Sequence, residues 1–297
     1  MTIRDRLEAL RDKNLAEDRA EDAKLIGVSI EAIDRLSEAV KGQPIFEFAG
    51  KKVMILNATQ ASMNWRTHFT LFRNYAVYGP EKVGLIPQGQ TVIHEARNIL
   101  AQAALETDSE WFIMGPDDDL VLPCGSANVT NRYFNARLPE PLASYNAISR
   151  IMSHPADKKV VGALYFVKGN KDTHNHPMAG KAICSQAFHD EAFNRMLHNP
   201  TPTSGLIKQD WVAIGFARIH RSVFEDIIKA ADGRWPELVP SHPGGHYGIF
   251  QPIGPDVNED ISFGRRCKAL GIDHWLDSGL IAGHADGTTI WWAHNCK

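Results

Sequence analysis

The stretch Glu110–Pro123, EWFIMGPDDDLVLP, decides how the chain is read. A short apolar run, Trp111 to Met114, has the β-branched and aromatic texture of a buried strand and runs straight into a Gly-Pro turn. Three successive carboxylates follow, Asp117, Asp118 and Asp119, before apolar residues resume. Three like charges in one turn repel unless a cation is nearby. Alternate carboxylates, Asp117 and Asp119, can turn the same way and share a hard cation such as Mg²⁺ or Mn²⁺, leaving Asp118 to hydrogen-bond a sugar or ribose hydroxyl. The bland alternative is a solvated acidic loop of capping aspartates.

Upstream of this turn, apolar runs and amphipathic stretches alternate. Strands are predicted at 52–56 (KVMIL), 82–86 and 111–114, and another at 160–166 (VVGALYF). Helices are predicted at 64–75 and 91–105, the second with an apolar stripe of Ile93, Ala96, Ile99, Leu100 and Ala103. Strand and helix in alternation imply an α/β domain with a doubly wound sheet of mostly parallel strands. In such sheets ligands sit beyond the carboxyl ends of the strands, which points to Asn57, Ala58, Thr59 and Gln60 and to Gly115–Asp119.

Downstream, residues 167–209 are polar, rich in His, Asn and Pro, and read as a long functional loop outside the sheet. A strand and helix return at 211–220 and 221–230, and a Gly- and Pro-rich loop spans 232–257. A helix is predicted at 258–270, then a pair of short strands near Trp275 and Ile281. Asn258 can cap that helix, and Glu259 and Asp260 in its first turn suit the macrodipole. A carboxylate fixed there also makes a good general base. His284, after the apolar GLIAG, is either structural or the imidazole that completes the coordination of a cation. Asp172, His174 and His176 in KDTHNHP could bind a metal but read better as a surface or acceptor-lining loop. Trp291, Trp292 and His294 read as C-terminal packing, with stacking on a sugar or base as the alternative.

The chain is 297 residues long, with 43% hydrophobic and 23% charged residues, enough for a folded domain with a sizeable core. Residues 1–43 carry dense charge of both signs with apolar residues at helical spacing, and form a predicted helical extension, suited to packing or to homo-oligomerisation. Residues 44–297 form the main domain. The net charge of −3 and the lack of a Lys/Arg block give no electrostatic case for nucleic acid or a membrane surface. The four cysteines lie far apart, without C-x-x-C spacing, and no apolar run suits a leader or a membrane span. These features predict reduced thiols and a cytoplasmic setting.

Taken in order, the Asp-rich turn, the unit DWVAIGFARIHRSVFEDI, the acidic pair in NEDISFGRRCKALG and the late Gly-His resemble the GT-A-fold nucleotide-sugar glycosyltransferases, in particular the family 2-like enzymes. The resemblance covers about residues 52–286 and includes TVIHEARNILAQAALETDSEWFIM, which is similar to the segment before the family's metal motif. It implies a GT-A-like doubly wound mixed sheet flanked by helices. It also implies a divalent metal, Mn²⁺ or Mg²⁺, held by Asp117, Asp119 and His284, and a nucleoside-diphosphate sugar donor, above all a UDP-sugar. Asp118 would lie near the ribose or metal. Asn57, Thr59 and Arg97 would line the nucleotide pocket, and Gly215 would lie in a loop closing on donor and acceptor. Asp260 would be the base of an inverting transfer, with Glu259 beside it on the acceptor. The acceptor hydroxyl could belong to a glycan, a protein, a small molecule or a modified DNA base. Two features depart from the family: NATQ after the first strand and the His-rich insertion. The competing readings are a nucleotidyltransferase acting on a nucleoside triphosphate, against which the lack of a Gly-rich phosphate loop counts, and a non-catalytic glycan- or nucleotide-binding module.

Overall fold

The computed structural model describes residues 8–9, 11–13, 52–59, 63–79, 81–89, 91–134, 138–168, 180–198, 205–233, 246–286 and 289–291. The chain divides into two compact units, Met1–Gln43 and Pro44–Lys297. In the first, residues 8–9 and 11–13 are helical. The rest of the predicted extension lies outside the described residues, as do Asp172, His174, His176, Trp292 and His294.

The second unit is mixed α/β. In chain order it comprises β1 (Val53–Ala58), α1 (Trp65–Tyr75), β2 (Val83–Gln88), α2 (Ile93–Leu105), β3 (Trp111–Met114), β4 (Leu120–Val121), α3 (Ala127–Phe134), α4 (Glu140–Ala143), α5 (Ala147–Met152), β5 (Val160–Leu164), α6 (Ser185–His189), α7 (Glu191–Leu197), β6 (Leu206–Gln209), β7 (Ala217–His220), α8 (Arg221–Gly233), α9 (Glu259–Ala269), β8 (His274–Ile281), β9 (Gly283–Asp286) and β10 (Thr289–Trp291). Seven strands form one sheet in the order β2-β1-β3-β7-β5-β8-β6, and β10-β9-β4 form a small second sheet.

The core explains the strand signals. Alternate residues of β1 belong to different apolar clusters, Met54 and Leu56 to one, Val53 and Ile55 to the other. Helices supply both: α2, α8 and α9 pack into the first cluster through Leu100, Phe224 and Phe263, and α1 and α5 into the second through Leu71 and Ile151. A strand covered on both faces reads as a continuous apolar run, which is why VMIL and WFIM stood out.

Five of the seven strands, β1, β2, β3, β5 and β8, run the same way, so the strands are mostly parallel as expected, with two exceptions. β1 pairs in parallel with β2 and β3, and β5 with β8. β7 enters antiparallel between β3 and β5, and β6 lies antiparallel on the edge at β8. The sheet is therefore mixed. Residues 167–209 are also not wholly a loop, because they contain α6, α7 and the edge strand β6. LIKQ is four residues long and only its last is fully buried, so its pattern is too short to register. The predicted strand at 211–220 narrows to β7, since 211–216 follow an irregular path. The predicted pair of short strands near Trp275 and Ile281 is one eight-residue strand, β8, with a shift in register against β5 after Ala163. No helix among the described residues is long and apolar enough to cross a membrane. Cys124, Cys184 and Cys267 are free and buried.

Candidate functional site

The acidic turn begins where β3 ends. Gly115, at φ +101°, donates its N–H to Leu56 O at 2.8 Å, and Asn57 Nδ2 donates to Pro116 O at 2.6 Å. Asp117 N donates to Gly215 O at 2.8 Å. These bonds fasten the turn to β1 and to the bend before β7. The fit at the bend is close: a Cβ on Gly215 would lie 2.5 Å from Tyr165 Oη and 2.6 Å from Asp117 Oδ2. The same glycine donates its N–H to Tyr165 Oη at 2.9 Å.

Arg97 organises the carboxylates. It rises from α2 with 1% of its surface exposed. Its Nη2 donates to both oxygens of Asp117, at 3.1 and 3.0 Å, and its Nη1 donates to Glu259 Oε1 at 3.0 Å and to Asp260 Oδ1 at 2.6 Å. Asp260 and Glu259 arrive on the first turn of α9, whose start is fixed by Asn258 Oδ1 accepting from Ile261 N at 3.0 Å. Helix start, acidic turn and α2 thus meet at one guanidinium.

One positive charge cannot neutralise three carboxylates. Burial raises the Asp260 carboxyl to about 7, with Glu259 and Asp117 adding repulsion, against the opposing pull of Arg97 and the Ile214 amide. Burial also pushes Asp117 upward, against the attraction of Arg97. Arg97 stays charged, since the three carboxylates outweigh the cost of its burial. Tyr165 is held well above the ordinary phenol range by burial and by the charges of Asp260 and Asp117.

Asp119 faces a different set. The small sheet pairs Leu120 of β4 with His284 of β9, and Ala285 N donates to Asp119 O at 2.7 Å. This places His284 Nε2 at 3.4 Å from Asp119 Oδ1. Lys168 Nζ makes an ion pair with Asp119 Oδ2. Burial alone would raise the Asp119 carboxyl, but His284 and Lys168 overcome it and bring it down to about 2.

Most of the residues singled out in the sequence therefore converge. Asn57, Arg97, Asp117, Asp119, Gly215, Glu259, Asp260 and His284 lie in one hydrogen-bonded neighbourhood. Asp118 accepts from Asn64 N at 2.8 Å through its carbonyl, at the cap of α1. Thr59 follows β1, with its N–H donated to Gln88 O at 2.8 Å, apart from the carboxylate contacts of Arg97 in sequence and in bonding partner. Among the described residues, no three His, Cys, Asp or Glu side chains form a ready metal-binding set. Asp117, Asp119 and His284 are not assembled as a trio, because Asp117 is engaged by Arg97. Lys168 and Tyr165 were not foreseen. Tyr165 sits within an apolar strand run, and Lys168 opens a segment read as loop; its only signal was a lone cation just beyond the carboxyl end of a strand.

No family model matches this chain, and neither does any curated protein. Among solved structures, the one titled "Crystal Structure of A197 from STIV" aligns over 83% of this chain and 92% of its own length, at 14% identity and a TM-score of 0.45.

Proposed function

We propose that the protein is a GT-A-type glycosyltransferase that moves a sugar from a nucleoside-diphosphate donor to an acceptor hydroxyl with inversion. The observation that carries this reading is the Arg97 junction. It holds a buried carboxyl poised near neutrality, Asp260, at a helix start beside the acidic turn that follows β3. A base in that range is half ionised at neutral pH and can accept the acceptor's proton as the hydroxyl attacks, an effect typically worth ~10²–10⁴ in rate. Glu259 would orient the acceptor, and Asn57, Thr59 and Asp118 would line the nucleotide end. Arg97, spent on carboxylates, would act by holding them in place.

The described residues assemble no three-ligand set, so in this reading Asp119 and His284 would be the protein's only ligands to a divalent cation. His284 Nδ1 donates to Phe166 O at 2.8 Å, since a carbonyl only accepts, and this turns Nε2 toward Asp119. One or two protein ligands plus substrate phosphates is ordinary for Mg²⁺ sites. When bound, Mn²⁺ or Mg²⁺ would neutralise charge developing on the departing diphosphate. Asp117, held at both oxygens by Arg97, would support that pair and would not need to bind the metal directly.

Calorimetric titration of the protein with UDP-sugars and other nucleotide sugars in the presence of Mn²⁺ tests the proposal. Donor binding or slow hydrolysis is expected, lost in Asp119→Ala. No binding to any donor in the panel would overturn it.

A further inference from the structure

We propose that Tyr165 is a positioning residue for the Asp260 carboxyl: its phenol oxygen holds the bend at Ile214–Gly215 on the path that serves both that carboxyl and the acidic turn. This rests on the reading of Asp260 as the base and goes beyond it by naming what keeps the base in place. Gly215 lies in the irregular stretch before β7, so its N–H takes no part in the sheet. A buried amide left without a partner is costly. Tyr165, the first residue beyond the carboxyl end of β5, supplies the acceptor, with Oη 2.9 Å from Gly215 N. Three contacts then leave the bend. Gly215 N–H goes to Tyr165, Gly215 O accepts from Asp117 N at 2.8 Å, and the Ile214 amide acts on the Asp260 carboxyl in favour of its charged form.

The bend needs an outside hold because it contains a glycine. Without a Cβ, Gly215 lets the phenol come close, since a Cβ there would lie 2.5 Å from Tyr165 Oη. The same absence frees the backbone dihedrals of Gly215. What fixes them is the hydrogen bond, and the phenol that accepts it is fixed in turn. Tyr165 is 4% exposed, and its ring stands edge-on to His284 at a centroid distance of 5.6 Å. With the oxygen removed, the Gly215 N–H turns toward another acceptor and carries the Ile214 amide with it. Asp260 is then left facing Arg97 of α2, Glu259 beside it on α9, Asp117 of the acidic turn and the bare ring at position 165. Arg97 still favours the charged carboxylate, and Glu259 and Asp117 still oppose it. Losing the Ile214 contact tips this balance toward the protonated form.

The test is an NMR titration of the full chain, without nucleotide or metal. The Asp260 carboxyl signal is identified as the one missing from Asp260→Asn. In the wild type, the Ile214 and Gly215 amide signals should move with the same midpoint as that carboxyl. In Tyr165→Phe, which keeps the ring and removes the oxygen, the Asp260 midpoint should rise by about one pH unit. The Gly215 amide should also exchange with solvent about tenfold faster. Tyr145→Phe removes another buried phenol, one bonded to Gly279 and Ile281 of β8, and should leave the Asp260 midpoint where it was. An unchanged midpoint in Tyr165→Phe, or an equal shift in Tyr145→Phe, would overturn the proposal. So would wild-type amides at 214 and 215 that ignore the Asp260 titration, a result that needs no variant to fold. The expected shift in a protein that binds no nucleotide sugar would leave the positioning role standing and remove the glycosyl-transfer reading instead.

Discussion

Arg97 Nη1 donates to Asp260 Oδ1 at 2.6 Å, joining the middle of α2 to the first turn of α9 across 163 positions of sequence. The same guanidinium grips Asp117 and Glu259. Arg97→Met should therefore strand three carboxylates in a buried cluster. Removing one partner of a buried ion pair typically costs about 3–5 kcal/mol. The loss should be smaller at pH 5.5 than at pH 8, because the stranded carboxyls can then take up protons. Urea unfolding at both pH values checks this, and an equal loss at both would refute the charge-based account.

Asp260 sets the expected pH dependence of turnover. With its carboxyl at about 7, the basic form grows as the pH rises through neutrality, so turnover should rise from pH 6 to pH 8 and then level. Asp260→Asn keeps the shape but not the basicity. It should lower turnover by ~10²–10⁴ while leaving donor affinity near the wild type. A pH–rate profile and donor titration of the two proteins separate these effects.

The sequence showed this site better than it showed the sheet. Asp117 follows the end of a strand, and Glu259 and Asp260 stand at the start of a helix, where Gly, Pro and capping residues make boundaries visible. Strands β1 and β3 were visible because both faces are buried. What was hidden depends on pairing at long range. Nothing in ARIH says that β7 enters antiparallel, and LIKQ is too short to look like an edge strand. The partners of Arg97 were equally hidden, because a lone Arg on an amphipathic helix looks the same whether it lines a pocket or anchors carboxylates 20 and 163 positions away.

His274 should make the protein acid-sensitive. It is fully buried against Phe263, neither ring nitrogen has a hydrogen-bond partner, and burial lowers its pKa to about 4. Between that value and the ordinary 6.5, the unfolded chain holds a proton that the folded chain excludes. The stability from this group is thus complete above about pH 6.5 and falls as the pH drops toward 4, by up to about 1.4 kcal/mol per unit. Asp260, raised in the fold, acts in the opposite direction over part of this range, so the comparison must be with a variant. His274→Leu should lose less stability than the wild type between pH 7 and pH 5 in urea unfolding. Parallel curves would show that the histidine is not the sensor.

Gly115 and Gly271 separate backbone conformation from crowding. Both have positive φ, +101° and +71°, but a Cβ on Gly115 would lie 1.9 Å from Gly215 O and one on Gly271 would meet nothing within 4 Å. Gly271→Ala should therefore cost only the left-handed conformation, about 1 kcal/mol. At Gly115 the obstacle is backbone. Gly215 O already accepts from Asp117 N, and Gly115 N is held by Leu56 O, so neither side can yield without breaking the turn. Gly115→Ala should cost clearly more than Gly271→Ala, beyond the roughly 1–3 kcal/mol typical of a strained residue alone, and should weaken donor binding in the fraction that folds. Thermal unfolding of the two variants, with nucleotide titration of each, tests whether the junction between residues 115 and 215 shapes the site; similar losses in both would refute it.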